Sequence, residues 1–304
     1  MENSEKDQKW MQHALELARQ GQYTARPNPC VGAVLVKDEQ MIGYGWHQCT
    51  GEAHAEIHAL QAAGNTAKGA TCYVSLEPCA HHGRTPPCCE ALVKAGVSRV
   101  VVAMPDPHPK VNGQGIIYLQ NHGIEVRVGV LESAARDLNR DFIKRIEQRK
   151  PWVSLKLGMT LDGKISDFSG NSQWITGNKA RLDVQTLRAR HAAIMSTATT
   201  VIADKARLSV RELPADLPLE CQNKFKQPLR VLLDRTLKTD FNEVFFQQAG
   251  DILIYTQSPT LATERVGLEV MPMAADTKGY LSLATILEDL AQRQINSVLI
   301  EAGG

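Results

Sequence analysis

No apolar run in this chain approaches the roughly 18 residues that a membrane-spanning helix needs. Charge of one sign is lacking too: 34 basic residues face 33 acidic ones, for a formal net charge of +1. So even a balance argues against a surface built for nucleic acid or an anionic membrane, and leaves room for a few arginines that hold a phosphate. The opening residues MENSEKDQKWMQ lack the apolar core of a secretory signal. The seven cysteines are an odd number and unevenly clustered, which favours metal ligation or plain burial over a disulfide framework. The expectation is a cytoplasmic protein with neither membrane nor nucleic acid as partner.

What is present suits two globular cores: 304 residues, 43% hydrophobic and 22% charged. Apolar residues at helical spacing predict a helix over 6–20, stopped by Gly21. Strands are expected at 31–38, 41–47, 71–78, 99–106 and 124–130, with helices at 54–63, 87–95, 113–122 and 132–146. The charged stretch DFIKRIEQRKP ends in Pro151, so a boundary is placed there, giving domains 1–149 and 150–304. Beyond it, strands are expected from 153 and at 192–196, 229–234, 251–256 and 297–301, with helices at 179–190 and 283–293. Asp162-Gly163 reads as a hairpin turn, and proline-rich 211–228 as a surface loop. Both halves are α/β.

Cys79, His81, His82, Cys88 and Cys89 crowd eleven residues of SLEPCAHHGRTPPCC, and GEAHAEIHAL upstream adds His54, Glu56 and His58. Zinc binds imidazole and thiolate well, and a catalytic zinc takes three protein ligands and keeps a fourth place for water. It lowers that water's pKa from 15.7 to about 7, and a carboxylate that is not a ligand must then move protons. In zinc nucleobase deaminases that carboxylate is a Glu two residues after the His. On this spacing His54, Cys79 and Cys88 are the ligands and Glu56 the proton shuttle. A metalloprotease helix would need Glu directly after His54, where Ala55 stands. A closed structural zinc site using Cys79, Cys88, Cys89 and a histidine is the competing arrangement, and buried thiols with surface histidines the plainest one.

NPCVGAVLV (28–36), GWH (45–47), GEAHAE (51–56) and EPCAHHGRTPPC (77–88) together resemble the deaminase domain of the bifunctional riboflavin-biosynthesis deaminase/reductase family. The eight residues between Cys79 and Cys88, against two in the commoner deaminase signature, point to that branch. DPHPKVNGQG (106–115) resembles a further family motif, with His108 in place of Asn. In the second half, VSLKLGMTLDGKI (153–165), GNSQWIT (170–176) and TVIADKARLSVR (200–211) resemble the reductase domain, with Lys205 and Ala206 replacing an Asp and a Pro.

The resemblance implies a cytidine-deaminase-like domain followed by a dihydrofolate-reductase-like one. It implies zinc-dependent deamination of a phosphoribosylamino-diaminopyrimidinone, then NADPH reduction of the ribosyl to a ribityl chain, by a self-associating enzyme. Asn28 and His47 would contact the pyrimidine, and Arg84 and Thr85 its phosphate. Lys156, Ser172, Arg188, Leu208, Arg211 and Glu301 would line the reductase substrate site. Gly158, Trp174, Thr200, Asp204 and, less directly, Arg235 would lie along NADPH. The chain closes on SVLIEAGG, where Gly303 and Gly304 would begin a loop approaching the NADPH diphosphate. From that ending the expectation is a reductase domain cut short at its C-terminus. Two other classes stay open: a zinc deaminase of another nucleotide or a nucleic-acid base with a non-catalytic second domain, and a structural zinc module in a scaffold.

Overall fold

The computed structural model describes residues 2–80 (backbone only at 2 and 3), 86–109, 111–170, 174–258 and 265–302. The chain divides into two compact units: Met1–Gln148 with Pro218–Lys224, and Arg149–Leu217 with Phe225–Gly304.

In the first unit the elements run α1 (Glu2–Arg19), β1 (Gly32–Lys37), β2 (Gln40–Trp46), α2 (Ala55–Ala63), β3 (Thr71–Val74), α3 (Cys88–Lys94), β4 (Arg99–Val102), α4 (Gln114–Asn121), β5 (Glu125–Val128), α5 (Glu132–Leu138) and α6 (Arg140–Gln148). The sheet order is β2-β1-β3-β4-β5. β1 pairs antiparallel with β2 and β3, while β3, β4 and β5 are parallel. Side chains alternate across a strand, so Ala33, Leu35, Cys72, Val74, Val100 and Val102 pack with α2, α3 and α4 on one face. Val34, Val36, Tyr73 and Val101 pack with α1 and α6 on the other. Both faces are covered, which is why these strands read as unbroken apolar runs.

Two local differences from the sequence reading have physical causes. The expected helix 132–146 is two helices, parted at Asn139. That side chain is buried and clamps a distant backbone: its Oδ1 accepts from the Cys30 N–H at 2.7 Å and its Nδ2 donates to the Cys30 carbonyl at 3.0 Å. The expected strand 71–78 leaves the sheet after Val74, and Glu77–Cys79 turn away to build the site described below.

The second unit contains β6 (Trp152–Leu155), α7 (Asn178–Arg190), β7 (Ala193–Thr197), α8 (Ala198–Asp204), β8 (Leu229–Leu233), β9 (Ile252–Thr256), β10 (Leu268–Pro272), α9 (Leu283–Gln292) and β11 (Ser297–Ile300). Its six strands follow the order β10-β9-β8-β7-β11-β6, and every pair is parallel. Ile194, Leu232, Ile252 and Ile254 face one core, and Met195, Val231, Leu253 and Val298 the other. α8 and β10 were not anticipated. Asp162-Gly163 makes a tight turn, the Gly163 N–H donating to the Thr160 carbonyl at 2.9 Å. The segment taken as a loop, 211–228, contains a 3₁₀ helix at Leu219–Lys224 whose Cys221 is fully buried. Among the described residues no helix is long and apolar enough to cross a membrane.

Candidate metal centre and active site

His54 caps the N-terminus of α2, and Cys88 opens α3. Cys79 arrives from the segment that leaves β3. Its Sγ accepts the backbone N–H of Cys88 at 3.4 Å, and its carbonyl accepts that of Cys89 at 3.2 Å. Gly45 lets α2 approach β2, since a Cβ there would stand 2.3 Å from the Cβ of His58. The result puts His54 Nδ1 3.6 Å from Cys79 Sγ and 3.3 Å from Cys88 Sγ.

These three groups fit a zinc ion. Metal–ligand distances of about 2.05 Å to nitrogen and 2.3 Å to sulfur in a tetrahedron separate the ligands by about 3.5–3.7 Å. Among the described residues this is the only set of three or more such groups close enough to hold a metal, its ligand atoms all within 4.8 Å of one another. The electrostatics lean the same way. The Cys79 thiol is pulled down by its hydrogen bond with Cys88 and by His54, although burial opposes this, while Cys88 moves up as the partner that keeps a proton. Both helix N-termini favour negative charge beside them. Cys89 Sγ turns away, donating to the Pro78 carbonyl at 3.2 Å.

Glu56 lies in the first turn of α2 and is 3% exposed. Burial pushes its carboxyl up, the His54 charge partly offsets that, and Cys79 adds to the rise. His47 is buried at the end of β2, with its Nε2 3.0 Å from Asn28 Nδ2 and its Nδ1 3.2 Å from the Ala53 carbonyl. Burial holds it at about 4, so it is neutral at physiological pH. Its ring meets that of His54 edge-on, 5.4 Å between centroids, which brings Asn28 and His47 to the metal ligands. Arg84 and Thr85 lie outside the described residues.

Sequence reasoning gave Glu77 no role. It is buried, and its carboxylate accepts the N–H groups of Asp106 (3.1 Å), Gly113 (2.9 Å), Gly115 (2.9 Å) and Ile116 (3.4 Å). It thereby ties the 106–116 loop and the start of α4 to the turn that carries Cys79. Gly115 permits this, because a Cβ there would stand 2.0 Å from the Pro78 carbonyl. His108 belongs to the same loop, its N–H donating to Asp106 Oδ1 at 2.8 Å. The Glu before Pro-Cys was visible in the sequence, but nothing there showed its partners, which are all backbone.

In the second unit the expected residues follow the carboxyl ends of parallel strands, the edge where open α/β sheets bind ligands. Lys156 and Gly158 follow β6, Thr200 follows β7, Arg235 follows β8 and Glu301 follows β11. Arg188, near the end of α7, forks onto Glu301 with Nε–Oε1 2.6 Å and Nη2–Oε2 2.9 Å, and donates from Nη1 to the Ser209 carbonyl at 3.0 Å. Lys156 Nζ stands 3.8 Å from the same carboxylate. Arg211 feels both Arg188 and Glu301, and is lowered by burial first and then by Arg188. Arg188 and Lys156 thus flank one buried carboxylate, with Arg211 near enough to feel its charge. Leu208 packs its side chain into the core beside Val201 and Phe245, with φ of 52°, so its backbone is the part that can face a ligand.

Trp174 is exposed, with the Arg181 guanidinium 4.3 Å over its ring. The Thr200 N–H donates to Thr197 Oγ1 at the start of α8, and Asp204 is exposed at its end. Lys205, where the family motif has an acid, caps that helix in the left-handed region at φ 47°. Exposed Arg235 donates to the Gly279 carbonyl at 3.3 Å. Ser172, Gly303 and Gly304 lie outside the described residues.

An α/β sheet that gathers a His-x-Glu and one cysteine at helix N-termini, with a second cysteine from the turn after a strand, defines a zinc-dependent deaminase of the cytidine type. Residues 4–104 match the family described as the cytidine and deoxycytidylate deaminase zinc-binding region, and residues 151–304 match the RibD C-terminal domain. The chain belongs to the RibD family of riboflavin-biosynthesis proteins. Riboflavin biosynthesis protein RibD of Escherichia coli (strain K12) is 45% identical over 302 residues, covering 98% of this chain and 82% of its own. The structure of Acinetobacter baumannii RibD is 44% identical, with a TM-score of 0.88 over 99% of this chain and 82% of its own. The Thermotoga maritima diaminohydroxyphosphoribosylaminopyrimidine deaminase/5-amino-6-(5-phosphoribosylamino)uracil reductase is 36% identical, with a TM-score of 0.87 over 99% of this chain and 82% of its own.

Proposed function

We propose that this chain performs two successive steps of riboflavin synthesis. Its first unit hydrolyses the 2-amino group from 2,5-diamino-6-(5-phosphoribosylamino)pyrimidin-4(3H)-one. Its second reduces the ribosyl arm to ribityl with NADPH. The observation that carries the reading is the buried carboxyl of Glu56, two residues from His54 of the His54–Cys79–Cys88 triangle and pushed up by burial. Bound in that triangle, zinc would act as a Lewis acid that makes water a nucleophile at neutral pH.

The protein's own part in the first step is proton traffic. As the water oxygen adds at C2, Glu56 takes a proton from that water and delivers it to the ring nitrogen. The C–N bond then breaks as Glu56 carries the proton of the new C2 hydroxyl to the leaving amine, which departs as ammonia and leaves the carbonyl. Proton transfer of this kind contributes roughly 10²–10⁴-fold. Neutral His47, held between the Ala53 carbonyl and Asn28, orients the Asn28 amide, whose remaining groups can meet the pyrimidine without a competing charge. Arg84 and Thr85 are assigned to the phosphate by family resemblance.

In the second unit, the surplus of positive charge from Lys156, Arg188 and Arg211 over Glu301 suits an anionic phosphate. Ser172 and Leu208 are assigned to the substrate by family resemblance. Thr200 at the start of α8, with Gly158, Trp174, Asp204 and Arg235, supplies donors and a stacking surface that fit NADPH, which would bring the hydride. Gly303 and Gly304 would join that site. The reading implies a cytoplasmic, self-associating enzyme with a small phosphorylated pyrimidine as its partner. The test is ammonia release from the diaminopyrimidinone phosphate, with and without NADPH. Release in both, with NADPH consumed only after deamination, is the expected result; no release from zinc-loaded protein overturns it.

A further inference from the structure

The boundary between the two units does not coincide with the boundary between the two family matches. Residues 218–224 fall inside the stretch that matches the RibD C-terminal domain, yet Pro218–Lys224 belongs to the first, deaminase unit. The chain leaves the second unit after Leu217 and re-enters it at Phe225. Between those points it forms the 3₁₀ helix Leu219–Lys224, anchored by fully buried Cys221 within reach of the Thr24 side chain.

Lys224 ends that helix, and its ammonium makes two hydrogen bonds: 2.8 Å to Glu52 Oε2 and 3.0 Å to Gln48 Oε1. Both acceptors lie in the connection between β2 and α2. Gln48 directly follows His47, and Glu52 stands two residues before His54. The connection has other ties: Thr24 Oγ1 donates to the Gln48 carbonyl at 2.5 Å, and Thr50 Oγ1 reaches the carbonyls of Ala25 (2.8 Å) and Arg26 (2.9 Å). His47 Nδ1 itself meets the Ala53 carbonyl across it at 3.2 Å, and Lys224 adds a grip on the side chains near both ends from outside the connection.

We infer that Pro218–Lys224 is a positioning element of the deaminase, contributed by the second half of the sequence, and that Lys224 sets the loop that holds His47 against Asn28. This rests on the deaminase reading of the first unit. The pair is partly exposed, with 26% of the Lys224 side chain and 40% of that of Glu52 accessible, so its effect is a modest one on geometry. Because Glu56 rides on α2 and not on the loop, the loss should fall on substrate binding, not on proton transfer.

The test uses the full chain carrying Lys224→Met, with Lys224→Arg as the conservative control. A charge exchange, Glu52→Lys with Lys224→Glu, serves as the second route. Two readouts are taken: steady-state ammonia release, and amide hydrogen exchange of peptides spanning 47–54 in the absence of substrate. Lys224→Met is expected to raise the KM for ammonia release roughly fivefold, with kcat within about twofold, and to speed exchange over 48–52. Both changes should be reversed in Lys224→Arg and in the charge exchange. A merely destabilised protein would lose active fraction, and with it kcat, at constant KM. Unchanged KM with unchanged exchange overturns the inference. Faster exchange in a protein whose wild type releases no ammonia upholds the clamp and overturns the deaminase reading instead.

Discussion

His54 Nδ1 and Cys88 Sγ lie 3.3 Å apart although 34 residues separate them, and they meet because each stands at the N-terminus of its own helix. The buried carboxyl of Glu56 is set into the same helix end as His54. Ligation and proton transfer are therefore separable by mutation.

Glu56→Gln keeps the side chain's shape and removes its proton chemistry. Zinc content, read by elemental analysis, should stay at that of the wild type. Ammonia release should fall by roughly 10²–10⁴-fold. Loss of zinc in this variant would make Glu56 a ligand.

Metal removal tests the triangle itself. Chelation should abolish ammonia release, and added zinc should restore it. In the stripped protein Cys79, whose thiol is drawn down by Cys88 and His54, should be alkylated first at neutral pH. Cys30, held up at about 12 by burial, should lag far behind. Mass spectrometry of iodoacetamide-treated samples reads the order directly.

Asp7 gives the first unit an acid-sensitive tie. Its carboxylate takes a fork from Arg99 (2.8 and 2.9 Å), a bond from Arg127 (2.7 Å) and the Tyr73 hydroxyl (3.0 Å). Burial raises its pKa, but hydrogen bonds from Arg99 and Tyr73 and the charges of Arg99 and Arg127 outweigh that and leave it below 3.8. A depressed carboxylate pKa contributes stability that is present above the unfolded value and lost as pH falls through the folded one. Asp7→Asn should therefore cost about 2 kcal/mol at pH 7, the low side for a buried pair because its arginines are partly exposed. The gap to wild type should close below about pH 3.8, as read by urea unfolding at a series of pH values.

Glu301→Gln leaves Arg188 buried without its anion. The second unit should lose about 3 kcal/mol, seen in its unfolding transition. NADPH consumption should fall with it. A variant as stable as wild type would show that the Ser209 carbonyl and solvent are enough to carry the Arg188 charge.

Much of this was readable beforehand, for reasons that name the exceptions. The short, valine-rich apolar runs at 32–37 and 99–102 read as strands buried on both faces, so β1 and β4 were legible. The H-A-E and E-P-C spacings report chemistry, so the trio His54, Cys79 and Cys88, which the fold brings together, was legible as a group that could hold a metal. α8 was not, because Thr-Thr-Val-Ile favours strands when read locally and becomes helical here under a Thr197 cap. The break at Asn139 depends on Cys30, 109 positions away, and the Lys224 clamp on Glu52, 172 positions away. Local periodicity carries no record of such partners. The acceptor role of Glu77 was hidden differently, since backbone amides have no letter in a sequence.

The strand order of the second unit also has a consequence during synthesis. β6 emerges early, but its described neighbour in the sheet is β11, which also pairs with β7 and lies far along the chain, Trp152 standing opposite Ser297. Until residue 300 has left the ribosome, these described pairings of Trp152–Leu155 and of one side of Ala193–Thr197 cannot form. Such long-range parallel pairing is slow and leaves strand edges open to other chains. The described pairings of the second unit thus close late, whereas β1 and β2 of the first can close as a hairpin as soon as they are made.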